Sequence, residues 1–170
     1  MTTVLPYIIL VAVMFLGFWA LLHLQFRNKQ RDRQWELKKD SQKVVAPIRL
    51  RAYERLTLLL ERTKPEHMLV GTDLTNMTVP QVQQLLLQTI RLEFDHNQSQ
   101  QVYVSDEVWD AILRARDQMA AFIISIAAQL PPDATAPMYA KALITAFNEN
   151  GLTPTDKALE MLKDEAKSLM

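Results

Sequence analysis

The chain has 170 residues, 19 basic and 19 acidic side chains, 49% hydrophobic residues, three glycines and no cysteine. This composition excludes collagen-like, disordered and disulfide-stapled classes. Without cysteine, zinc and iron–sulfur sites built on thiolates are excluded too. The length suits one ordinary domain, or an anchor plus one small domain.

Residues 4–24 read VLPYIILVAVMFLGFWALLHL and carry no Asp, Glu, Lys or Arg. As a helix this stretch rises about 31 Å, against a hydrocarbon core of about 30 Å. Pro6 falls in the first turn, where a missing N–H costs least. Tyr7 and Trp19 suit the interfacial belts. A cleaved signal peptide needs a basic start, a shorter apolar core and a small-residue cleavage site, none of which is present. The stretch therefore predicts a retained transmembrane helix over 4–26, behind an extracytoplasmic tail of residues 1–3. Gly17, Phe18 and Trp19 are available to pack against a partner's helices.

Charge is as uneven as hydropathy. Residues 27–64 hold 12 basic and 5 acidic side chains; residues 65–170 hold 7 and 14. The excess begins at once after the span, with Arg27, Lys29, Arg31, Arg33, Lys38 and Lys39. By the positive-inside rule the N-terminus is outside and the rest cytoplasmic. Residues 27–46 read as a basic, polar helical stalk. Its two readings are an ordinary topogenic flank and a patch that binds anionic lipid through residues 27–39. Nucleic-acid binding is not expected, because aromatic and groove-reading elements are missing.

Pro47 is expected to break the stalk and open a helical bundle over 47–170. Ile48 to Thr63 has Ile48, Ala52, Leu56, Leu59 and Leu60 on one stripe, ended by Pro65. A connector from His67 to Thr78 turns at Gly71 and Asp73. Thr78 caps the next helix, which runs to about Asn97 and carries Val82, Leu85, Leu86, Thr89, Ile90 and Phe94 on one face. Val102-Tyr103-Val104 is locally extended by propensity. Ser105 is a strong N-cap, followed by Asp106 and Glu107 at the positive end of the helix dipole. That helix runs to about Gln129. Its second half, Met119 to Leu130, is apolar nearly all round and reads as the central helix of the core, or an interface helix. Pro131-Pro132 stops it. Thr135 and Thr153 cap two further helices, separated by a stop at Asn150-Gly151. The fold class is all-α: one transmembrane helix, a polar stalk and a cytoplasmic bundle of about five helices.

No chemical constellation stands out. The glycines Gly17, Gly71 and Gly151 are isolated, so no phosphate loop exists, and no Gly-x-Ser-x-Gly or His-Glu-x-x-His motif occurs. Glu93 and His96 have helix spacing for one metal ion, with His67 as a third ligand if the fold brings it near. The competing reading is a polar helix end, and no metal, cofactor or small-molecule substrate is expected. Tyr53-Glu54-Arg55 reads as a solvated face, which Arg91, Glu93 and Asp95 complement.

Two stretches carry a resemblance. Residues 50–56 (LRAYERL) with 59–62 (LLER) form one; residues 91–97 (RLEFDHN), 100–105 (QQVYVS) and Trp109 form the other. They resemble a family of short bacterial inner-membrane proteins of uncharacterised activity, with one N-terminal span and a cytoplasmic helical domain. The likeness extends in arrangement over residues 4–130 and brings no catalytic activity with it. The reading that follows is a non-enzymatic accessory or scaffolding subunit of a membrane complex, or a homo-oligomer. Tyr53, Glu54, Arg55, Arg91, Glu93, Asp95, His96 and Trp109 are its candidate partner contacts. The alternatives are a tethered enzyme or sensor near His67, Glu93 and His96, and the anionic-lipid binder.

Overall fold

The computed structural model describes residues 14–19, 23, 43–149, 151 and 153–168. The chain divides into two compact units, Met1–Val45 and Ala46–Met170. Every regular element among the described residues is helical.

In the first unit residues 14–19 are helical, and each is exposed. Phe15 is 76% and Trp19 63% accessible. Trp19 stacks on His23 with ring centroids 5.4 Å apart. Among the described residues no helix is long and apolar enough to cross a membrane. Most of the predicted span over 4–26 lies outside the described residues. So do the tail 1–3, the stalk residues 27–42, and with them Tyr7, Arg27, Lys29, Arg31, Arg33, Lys38 and Lys39.

The second unit opens with helix α1, residues 46–62. Residues 43–62 are helical without a break, so Pro47 lies inside the helix and the break expected there does not occur. Ala52, Tyr53, Leu56, Leu59 and Leu60 are buried, whereas Ile48 stands clear of the core. Pro65, expected only as a stop, also starts the short helix α2 (Pro65–Leu69), which buries Met68 and Leu69. The connector is correspondingly shorter and turns at Gly71, whose φ of 77° suits glycine.

Helix α3 (Val79–Asn97) begins at Thr78, and Gln81 Oε1 accepts from the Thr78 N–H at 2.8 Å. Val82, Leu86, Ile90 and Phe94 are buried at the predicted helical spacing. A 3-10 helix (Gln98–Tyr103) follows. It corrects the extended reading of Val102 and Tyr103; Val104 alone is extended. Local β-propensity lost here because no strand partner exists among the described residues.

Helix α4 (Asp106–Ala128) starts where expected, with Ser105 Oγ accepting from the Val108 N–H. It packs against α3, α5 and α6. Its apolar second half is buried on one face only: Met119 and Ile123 are enclosed, but Ile124 is 48% accessible. The helix is central by position, yet it is not wrapped on all sides.

Helix α5 (Ala136–Glu149) is tied to α4 by the buried Tyr139 hydroxyl, which donates to the Ile123 carbonyl at 2.7 Å. Burial pushes the Tyr139 phenol up to about 12. Gly151, with φ 65°, ends the intervening turn. Helix α6 (Pro154–Ser168) is capped by Thr153, whose hydroxyl donates to Asp156 Oδ2 at 2.5 Å and accepts from the Asp156 N–H. Leu56, Leu86, Ile112, Leu143 and Leu162, one from each long helix, are each no more than 1% accessible and belong to one continuous core. Each such side chain contributes about 1.5–3 kcal/mol by leaving water.

Candidate functional site

The densest polar cluster of the bundle centres on Glu165 of α6. Its carboxylate accepts from Arg49 Nη2 at 3.0 Å, Tyr53 Oη at 2.8 Å, the Ser105 N–H at 3.1 Å and Ser105 Oγ at 2.5 Å. Arg49 Nη2 also donates to Tyr53 Oη, and its Nε to the Tyr103 carbonyl. Through Glu165 and Arg49 the cluster joins α1, the end of the 3-10 helix, the N-cap of α4 and the last turn of α6. Burial by itself raises the Glu165 carboxyl. The hydrogen bonds from Ser105 and Tyr53 and the Arg49 charge outweigh it, and the carboxyl sits below its ordinary value. Burial first, and then Glu165, push the Tyr53 phenol up to about 12.

Every polar group here is satisfied by another from the same bundle, so the cluster is a structural clasp. It also corrects one expectation. Tyr53 is only 4% accessible and is not a surface contact. Its ring belongs to the core and its hydroxyl to the clasp, because α1 turns that face toward α6.

The remaining candidates lie on two neighbouring faces. Glu54 and Arg55 are exposed on α1, and Arg91, Asp95 and His96 on α3. Arg55 Nη2 lies 3.3 Å from His96 Nε2. A guanidinium only donates, so Nε2 accepts. Arg62 approaches Glu93 at 3.8 Å, and Arg91 approaches Asp95 at 3.7 Å. Of Arg91, Glu93 and Asp95, only Glu93 thus answers α1, while Arg91 and Asp95 pair within α3; each such surface pair contributes about 0–1 kcal/mol.

Within residues 91–97, Phe94 fills the core and Asn97 Nδ2 donates to the Glu93 carbonyl. Glu93 and His96 answer α1. That leaves Arg91, Leu92 and Asp95 facing outward, with Leu92 59% accessible. They line an open groove of about 850 Å3 with Leu87 and Ile124.

His67 does not join Glu93 and His96. Its Nδ1 is 2.6 Å from the Glu61 carbonyl, an acceptor only, so it donates there. Among the described residues no three His, Asp or Glu side chains are grouped to hold a metal ion.

Trp109 is half-buried on the outer side of α4. With Phe94, Asp95, Gln98, Gln101, Leu113 and Arg116 it lines a cleft of about 360 Å3. Arg116 lies over the Phe94 ring, 5.7 Å from its centroid, and its Nε donates to Asp117 at 2.8 Å. The parts of the second motif stretch, residues 91–97, 100–105 and Trp109, thus meet at this cleft. Of the interaction residues, Arg49 and Glu165 escaped sequence reasoning. Their separation of 116 positions leaves no local signal.

A family profile described as "Family of unknown function (DUF7935)" matches residues 1–169, and the chain belongs to that family. No curated protein and no solved structure matches it.

Proposed function

We propose that this member of the DUF7935 family is a membrane-anchored accessory or scaffolding subunit of a bacterial inner-membrane complex. In this reading residues 4–26 cross the membrane with the N-terminus outside. The basic stretch after them flanks the membrane on the cytoplasmic side, and the bundle presents its surface to protein partners. One observation carries the reading. Residues 14–19 are helical, apolar and exposed on every side, within a stretch free of charge from residue 4 to 24. Such a helix finds in lipid the apolar surroundings that water withholds.

Supporting the scaffolding role, the charged residues that attract chemical suspicion serve the bundle itself. Glu165 ties α1 and the N-cap of α4 to α6, and Glu93 and His96 answer arginines of α1. The outward-facing side chains that are left, Leu92, Ile124 and Trp109 with its cleft, have the mixed apolar and polar character of contact surfaces.

The test is recovery of the tagged full-length chain in mild detergent, followed by native mass measurement and identification of co-purifying proteins. A stoichiometric assembly, weakened by Leu92→Asp or Trp109→Ala with the helical content unchanged, is the expected result. A monodisperse monomer with nothing bound would overturn the proposal.

A further inference from the structure

The exposed side of α1 carries a row of side chains that the bundle does not use. Ile48, Arg51, Arg55, Leu58 and Arg62 follow one another at steps of three and four residues. On a helix they share one outward row, within an arc of about 80° and about 21 Å long. All five are exposed, Ile48 by 43% and Leu58 by 45%. Among the described residues Arg51 forms no ion pair or side-chain hydrogen bond, Arg55 meets only His96, and Arg62 approaches Glu93 at 3.8 Å. Glu54 and Glu61 stand off the row, about 80–100° from its centre. Glu61 is held by Lys64 at 3.0 Å, and Asp95 of the neighbouring α3 is answered by Arg91.

We infer that this row rests on the surface of an anionic lipid bilayer, with the guanidinium groups on headgroup phosphates and Ile48 and Leu58 set between them at the acyl boundary. The inference rests on the membrane-anchored reading and deepens it by naming the side of the bundle that faces the membrane. Two observations select lipid. The first is charge. Residues 65–170 hold 7 basic and 14 acidic side chains, whereas α1 holds Arg49, Arg51, Arg55 and Arg62 against Glu54 and Glu61. An acidic body held near an anionic surface is repelled on its other sides and turns its basic helix toward it. The second is the interleaving of basic and apolar side chains along a single row. A protein partner must match it position by position, with an acid facing each arginine and an apolar pocket facing Ile48 and Leu58. A bilayer offers phosphate and hydrocarbon at every point, and an arginine stem lies along the apolar layer while its head stays among the headgroups.

Only residues 27–45 separate α1 from the predicted span. A tether of that length raises the effective concentration of the row at the bilayer, so an attachment too weak to recruit the protein still orients it.

The chain has no cysteine, so Leu58→Cys offers a single point for an environment-sensitive fluorophore, and Lys141→Cys on the exposed side of α5 is the control. The full chain is reconstituted into vesicles of phosphatidylcholine alone, or of equal parts phosphatidylcholine and phosphatidylglycerol, each carrying nitroxide-labelled headgroups as quencher. The expected result is quenching of the Leu58→Cys label in the anionic vesicles only, lost at high salt, with the Lys141→Cys label unquenched in both. Arg51→Glu combined with Arg55→Glu should lower the ratio of docked to free chain at least about tenfold, circular dichroism confirming that the variant is folded. Equal quenching in neutral and anionic vesicles, none in either, or no response to the charge reversal would overturn the inference. So would a Leu58→Cys label already shielded from aqueous iodide in detergent, where an acidic protein partner would travel with the chain. Flotation with the neutral vesicles reads the anchor separately. A chain that fails to float there contradicts the anchor, and the label in the anionic vesicles still decides the docking.

Discussion

Replacing Glu165 with glutamine tests the clasp with almost no change of volume. The carboxylate accepts from Arg49, Tyr53 and both polar groups of Ser105. A glutamine keeps one acceptor oxygen but turns an NH2 group toward donors. At least one donor of Arg49, Tyr53 or Ser105 is then unpaired, and the Arg49 charge loses its partner. A hydrogen bond to a charged group contributes about 1.5–3 kcal/mol. Removing one member of a fully buried pair costs about 3–5 kcal/mol. The Glu165 and Arg49 side chains are 15% and 29% accessible, so solvent screening lowers the figure. We expect a loss of about 2 kcal/mol, seen as a fall in Tm of about 6–8 °C. The Lys167–Asp164 pair, with side chains 72% and 65% accessible, is the control. Asp164→Asn should cost less than about 0.5 kcal/mol. Urea and thermal unfolding of the full chain, followed by circular dichroism, measure both. The depressed Glu165 carboxyl adds a pH signature. Its contribution is present above the unfolded-state value of 4.5 and is lost as pH falls through the lower folded-state value. Glu165→Gln should therefore flatten the acid limb of the stability curve. A variant as stable as Asp164→Asn, with an unchanged acid limb, would refute the reasoning.

Three further outcomes follow from the same structure. Tyr53 and Tyr139 should ionise near 12 in an absorbance titration of the folded chain. Since both values lie above the ordinary tyrosine value of 10.0, the stability they contribute is intact below pH 10 and declines between 10 and 12. Thr153→Ala removes the reciprocal cap with Asp156 and should cost about 1 kcal/mol by urea unfolding. Ile112→Ala opens a cavity at a side chain with no solvent access and should cost about 2–5 kcal/mol, whereas Leu92→Ala at the surface should stay within about 0.5 kcal/mol.

What was legible in the sequence was what depends on near neighbours. Thr78, Ser105 and Thr153 mark helix starts because a cap acts within three residues. The spacing of Val82, Leu86, Ile90 and Phe94 marks the buried face of α3 because the period is a property of the helix. Punctuation by proline is less certain. Pro65 both follows one helix and starts another, since its fixed φ suits either role. The Val-Tyr-Val tripeptide favours an extended chain, but the 3-10 turn between α3 and α4 claims two of its residues. Apolarity on all sides of residues 119–130 suits either the centre of the core or an interface, and Ile124 shows that a helix so composed can still face outward. The clasp was illegible because Arg49, Ser105 and Glu165 meet only after three helices have packed. Tyr53 was misplaced for the same reason, its hydroxyl having a partner 112 positions away.

The claim on which the functional reading rests is that the apolar N-terminal stretch holds the protein in a membrane. Alkaline extraction of membranes from bacterial cells expressing the full-length tagged chain tests it most directly, because high pH strips peripheral proteins and leaves spanning helices in place. The account predicts that the chain stays in the membrane pellet, and that replacing Leu10, Val13 and Leu16 with aspartate releases it. Release of the unaltered full-length chain into the supernatant, folded and without detergent, would contradict the account.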